Sequence, residues 1–160
     1  MTGNATQIPA AIDALLAKMQ TAIGATTNVV DGPPLSWGPI QLPANEVSET
    51  RYLFIGARPD DDDSADGENE YNAAGAVSLD ERFVIWCTAF VWSGASLKPN
   101  RDDCAGIVTS VRQAIAADPT LAGAVLYSRV SAITSLEQHQ DEQGTDAVIV
   151  FPVSCRAYLT

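Results

Sequence analysis

Asp80–Trp92, DERFVIWCTAFVW, is the stretch on which the reading of this chain turns, because it spells one long strand. Phe83, Ile85, Cys87, Ala89 and Val91 fall on one side of a period-2 ribbon, and Val84, Trp86, Thr88, Phe90 and Trp92 fall on the other. Both sides are apolar. A half-solvated sheet would carry polar residues on its outer side, so this strand needs two covers. Helices of the same chain can supply one. A chain of 160 residues has little left for the other, which points to copies of itself and places function in assembly rather than in an active site.

Composition narrows the class. The length fits a single domain over residues 1–160, with 46% hydrophobic and 18% charged residues, a globular balance. Nine Lys plus Arg against twenty Asp plus Glu give a net charge of −11. Binding nucleic acid through a basic surface is thereby disfavoured, because counterion release needs clustered cations. A channel that DNA passes without sticking is compatible with it. Cys87, Cys104 and Cys155 are odd in number and far apart, so they read as reduced core residues in an intracellular setting. The opening MTGNATQIPA has no basic start before an apolar run, so no export signal is expected. The longest apolar run, Phe83–Trp92, is about half of a membrane span, and no membrane partner is expected.

Working outward, residues Met1–Gln7 read as a loose terminus, followed by a helix from about Pro9 to Ile23 with Ile12, Leu15, Leu16, Met19 and Ile23 on one stripe. Asn28–Val30 can form a short strand. Gly32–Pro43, GPPLSWGPIQLP, is too proline-rich to be regular, and a strand from about Arg51 to Ala57 ends before Pro59. Asp60–Gly75, DDDDSADGENEYNAAG, holds seven acids and no base and reads as a solvated loop between two strands. A second helix is expected to start near Asn100 as its cap, with Asp102 and Asp103 at the positive end of its dipole. Its apolar face carries Cys104, Ile107, Val108, Val111 and Ile115, and Pro119 ends it near Ala117. From Ala124 the chain reads as a long hairpin whose first arm runs to about Leu136. Its tip is EQHQDEQGTD and its second arm Ala147–Tyr158, where Pro152 suggests an edge or a bulge. The fold class is therefore α+β, a mostly antiparallel sheet with two helices packed on one face and a long C-terminal β-hairpin.

Candidate sites are few. Asp62, Ser64 and Asp66 followed by Gly67 copy the first half of a calcium loop, but its twelfth position is Ala73 rather than a bidentate Glu and its flanks read as strands. A plain acidic loop is the better account, with Asp60, Asp61, Asp62, Asp63, Glu68 and Glu70 available for docking. The single histidine, His139, sits among Gln138, Gln140 and Asp141 in the hairpin tip, wet and unoriented for catalysis. The cysteines and His139 lack zinc spacings, and no glycine-rich phosphate loop occurs, so neither an enzyme nor a cofactor is expected. Trp86, Phe90 and Trp92 could stack bases, yet only Arg82 and Lys98 lie nearby in sequence. Packing within the core or between subunits, together with Val148 and Val150, explains them better.

An N-terminal helix, a proline-rich region, a long aromatic strand, a helix closing in AADPTLAGAV and a hairpin ending in VFPVSCRAYL together resemble the tail terminator proteins of long-tailed, lambda-like phages. The segment Asp118–Val125, DPTLAGAV, is the most suggestive local match. The resemblance implies a hexameric ring that caps the tail tube, stops its growth and joins it to the head connector, with DNA passing through the hole without specific binding. It implies a virion protein at the head-proximal end of the tail, assembled in the host cytoplasm, with itself, the tail-tube protein and the head-connector protein as partners. No catalytic residues come with it. Acidic groups are expected to line or flank the lumen. Another joining or tail-tube subunit shares most of the pattern, and a calcium-binding module or metal-dependent enzyme at Asp62 and Asp66 is the rival of a different class.

Overall fold

In a computed structural model the chain is described over residues 6–37, 51–71, 79–93, 96–142 and 144–158. Met1–Ala5 of the expected terminus, residues 38–43 of the proline-rich segment and residues 72–75 of the acidic one lie outside them.

Two strands of fifteen residues carry the sheet: β4 (Leu79–Ser93) and β7 (Gly144–Tyr158). They run antiparallel in continuous register from Asp80 opposite Tyr158 to Ser93 opposite Thr145. Each half of this ribbon has its own flanks. At one end β4 pairs with β2 (Arg51–Ile55), which pairs in parallel with β1 (Asn28–Asp31), while β7 pairs with β6 (Ser135–Asp141). At the other end β4 pairs with β3 (Ala65–Tyr71) and β7 with β5 (Tyr127–Val130). The helices α1 (Ile8–Ile23) and α2 (Leu97–Ala117) cover one face. The observed architecture is thus an α+β fold with a mostly antiparallel sheet and a C-terminal β6–β7 hairpin.

The helix-side core follows the period-2 pattern. Phe83, Ile85, Cys87 and Ala89 of β4 and Phe151 and Val153 of β7 meet Leu15 and Met19 of α1 and Cys104, Val108 and Val111 of α2. Leu15 and Met19 are spaced by four residues, so both lie on the stripe facing the sheet. The first turn of α1 has no cap from its own N-cap residue, Gln7. Buried Glu81 supplies one: its carboxylate accepts the Gln7 backbone N–H at 2.8 Å and the Thr6 hydroxyl, placing negative charge at the positive helix end.

Four expectations need correction. The acidic segment is not wholly loop, since Ala65–Tyr71 forms edge strand β3 along the otherwise bare end of β4. The exchange of neighbours happens at Trp86, whose carbonyl accepts the Gly56 and Ala57 N–H groups at 2.8 and 2.9 Å, and whose own N–H donates to the Ser64 carbonyl at 3.0 Å. Helix α2 starts at Leu97, with Ser96 as N-cap, so Asn100 is not the cap. Pro99 is tolerated because the first turn needs no N–H from it. Asn100 is buried instead, donating to the Thr145 carbonyl and hydroxyl at 2.9 and 2.6 Å and accepting from the Ser93 hydroxyl at 2.6 Å, which ties the helix start to both long strands.

The first hairpin arm is broken into β5 and β6, and most of the supposed tip is ladder, with Asp141 paired to Gly144. Pro152 lies in a central strand, not at an edge. Opposite it β6 has ended and β5 has not begun, so its missing N–H faces residues 131–134 and breaks no ladder bond.

Candidate interaction surface

The sheet face turned away from the helices divides along its length into an aromatic half and a charged half. In the aromatic half, Tyr52 and Phe54 of β2 stack with ring centroids 5.9 Å apart, Tyr52 meets Phe90 edge-on at 6.5 Å, and Trp37 stands edge-on to Phe54 at 4.8 Å. Phe90, Val148 and Val150 are buried among them, and Trp86 and Trp92 are half-buried at the margin.

The chain supplies much of this cover itself. The β2–β3 connection folds over the sheet, with the Ala57 carbonyl accepting the buried Thr88 hydroxyl at 2.8 Å and the Arg58 guanidinium 3.9 Å from the Trp86 ring centroid. The expectation that copies must shelter this face is therefore too strong for Phe90, Val148 and Val150. It retains force at Trp86 and Trp92. Among the described residues, both indole N–H groups and Arg58 Nε are buried without an acceptor. Buried donors are nearly always paired, because an unmet one forfeits hydration worth about 1–3 kcal/mol.

In the charged half the sheet order is β3, β4, β7, β5, and side chains of one parity share the outer face. Asp66 and Glu68 lie opposite Val84 and Arg82, Arg82 lies opposite Arg156, and Arg156 and Ser154 lie opposite Tyr127 and Arg129. These residues line a shallow cavity of about 560 Å³. Like charges directly across a ladder repel, so Arg82 beside Arg156 needs nearby acid. Asp80, fully buried, provides it by accepting Arg156 Nε at 2.6 Å and Nη2 beside it. Arg129 is exposed and has no ion pair among the described residues.

The acidic candidates are placed less compactly than a metal site requires. Asp60, Asp61, Asp62, Asp63, Ser64, Asp66 and Glu68 are exposed, Asp61 is paired with Arg58 at 3.1 Å, and the Glu70 side chain lies outside the described residues. Among the described residues no three of His, Cys, Asp or Glu come together as a metal-ligating group. His139 is oriented, contrary to expectation, because β6–β7 pairing sets its Nδ1 2.7 Å from Asp146 Oδ1. Burial pushes the Cys87 thiol up to about 12, and Cys104 and Cys155 likewise to about 12, so all three pack as apolar groups.

No family model matches the chain, and no curated protein matches it. Among solved structures it is similar to a chain from the virion of a native gene transfer agent particle, at 11% identity and a TM-score of 0.40, covering 92% of this chain and 93% of that one. A likeness of that degree carries no function.

The grouping of the three arginines with Tyr127 is absent from the sequence reading because no linear motif joins them. Arg82 and Arg156 do occupy the outward parity of their strands, so a correct β4–β7 register would have paired them. Arg58 and Trp37 gave no signal, since their positions depend on how two connections fold over the sheet.

Proposed function

We propose that this protein is a structural assembly subunit, and that it acts as a phage tail terminator: a ring, six-fold by family resemblance, that ends tube growth and joins tube to head connector. The observation that supports assembly is the outer face at Trp86 and Trp92, whose rings the chain covers only in part. A neighbouring copy seated on the exposed parts of these two rings would complete their burial. The terminator role rests on the order of elements and on DPTLAGAV, and Asp60–Asp63 serve as acid available for docking.

Light scattering together with negative-stain microscopy tests this reading. The expected result is a ring about six times the 16.9 kDa subunit mass, capping tail tubes when mixed with them. A protein that stays monomeric at high concentration and leaves tube growth unaffected overturns it.

A further inference from the structure

The charged half of the outer face is ordered by sign. Acid sits on the β3 side, at Asp66 and Glu68, and is reinforced by Asp60, Asp62 and Asp63 of the β2–β3 connection, which have no cation partner among the described residues. Base sits toward β5, where Arg129 lies beside half-exposed Tyr127 and Arg156. Arginine and tyrosine are the residues that most often anchor protein interfaces, since both bury large planar surfaces while keeping directional donors. In a chain of net charge −11, a patch built from them selects an acidic partner, and Asp60–Asp63 is the densest acid the protein carries.

We propose that the Arg129–Arg156–Tyr127 side of the cavity, away from Asp66 and Glu68, receives the Asp60–Asp63 loop of a second copy, an inference that rests on the assembly reading. Sign order restricts the contact to acid on base. A two-fold contact through one side alone would set acid on acid or Arg129 on Arg129, whereas one across the whole face pairs each copy's acid with the other's base and stops at a dimer. A head-to-tail contact sets acid on base, and repeated with a fixed rotation it closes into a ring. The contact is exposed to water, so it steers and registers neighbours and weakens with salt.

The test is a charge swap followed by sedimentation velocity at about 0.05 M and 0.5 M salt. Arg129→Glu is expected to raise the concentration at which copies associate by about tenfold or more, as is Asp62→Lys with Asp63→Lys. The combined variant is expected to recover to within a few-fold of wild type. Arg129 is exposed and unpaired among the described residues, so its replacement should leave the melting temperature unchanged, and Arg129→Gln should give an intermediate effect. If wild type associates and Arg129→Glu associates equally well, this contact is wrong while the assembly reading stands. If wild type never associates, both fall. A combined variant that fails to recover, or duplex DNA held by wild type and lost by Arg129→Glu, overturns the acidic loop as occupant.

Discussion

Asp118 shows how one side chain shapes a connection. Its carboxylate accepts the Thr120 hydroxyl at 2.7 Å and the Ala122 N–H at 2.8 Å, with Lys18 Nζ 3.5 Å away, and so it organises the turn that ends α2. These bonds support an unusual backbone: Leu121, Ala122 and Gly123 all have positive φ, at 49°, 58° and 88°. Left-handed conformations disfavour any residue with a Cβ, so the turn needs the carboxylate as an external clamp. The Thr120 and Ala122 hydrogen bonds, with Lys18 nearby, hold the Asp118 carboxyl below its ordinary value of 3.8. A depressed carboxyl contributes stability that is present above the unfolded value and is lost as pH falls through the folded one. Asp118→Asn should therefore lower the melting temperature at pH 7, and the gap from wild type should be narrower at about pH 3, as protonation begins to remove the charge. Equal gaps at both pH values would show that charge has no part in the clamp. The segment DPTLAGAV stood out in the sequence as a helix end, but its left-handed run did not, because Leu and Ala carry no turn signature.

At the scale of elements, the strands were legible where burial alone fixes them. The alternation of β4 announces both its faces, and the stripes of α1 and α2 announce their sheet contacts, because a two- or 3.6-residue period survives any choice of neighbour. What escaped depends on pairing. Strand β3 has an acidic sequence with poor strand propensity and exists because β4 offers it an empty edge, so context overrides propensity. Asn100 looked like a helix cap and turned out to be a buried clamp between α2 and the ends of β4 and β7, a role visible only once Thr145 and Ser93 stand nearby. Two glycines give a matched check on β3. A Cβ at Gly67 would stand 2.6 Å from Phe83 Cβ and 2.8 Å from the Arg82 carbonyl, so β3 approaches β4 more closely than a side chain allows. At Gly106, on the exposed side of α2, nothing lies within 4 Å. In urea melts Gly67→Ala should cost about 1–3 kcal/mol through strain, whereas Gly106→Ala should add up to about 1 kcal/mol through helix propensity. A neutral Gly67→Ala would mean that β3 does not pack against β4 as described.

For the whole molecule, the two halves of the outer face divide the work of association between them. The charged half can align copies at a distance but yields little net binding in water, while the aromatic half can bind strongly once aligned and has no directional reach. The partly exposed rings of Trp86 and Trp92 separate folding from association in a way that few residues permit. Each indole N–H is buried without an acceptor among the described residues, so replacing the ring by phenyl removes an unsatisfied donor and loses some packing area. Trp92→Phe should then leave the urea stability of dilute, dissociated protein within about 1 kcal/mol of wild type, because the two effects oppose one another. In the assembly the exposed part of the ring is covered by a neighbour, and trimming it to phenyl should weaken association by about fivefold, the equivalent of the contact area lost. Sedimentation equilibrium across a dilution series, paired with the melts, reads both quantities from one variant. Loss of chain stability with unchanged association would make Trp92 an internal packing residue and leave the aromatic half without a part in assembly.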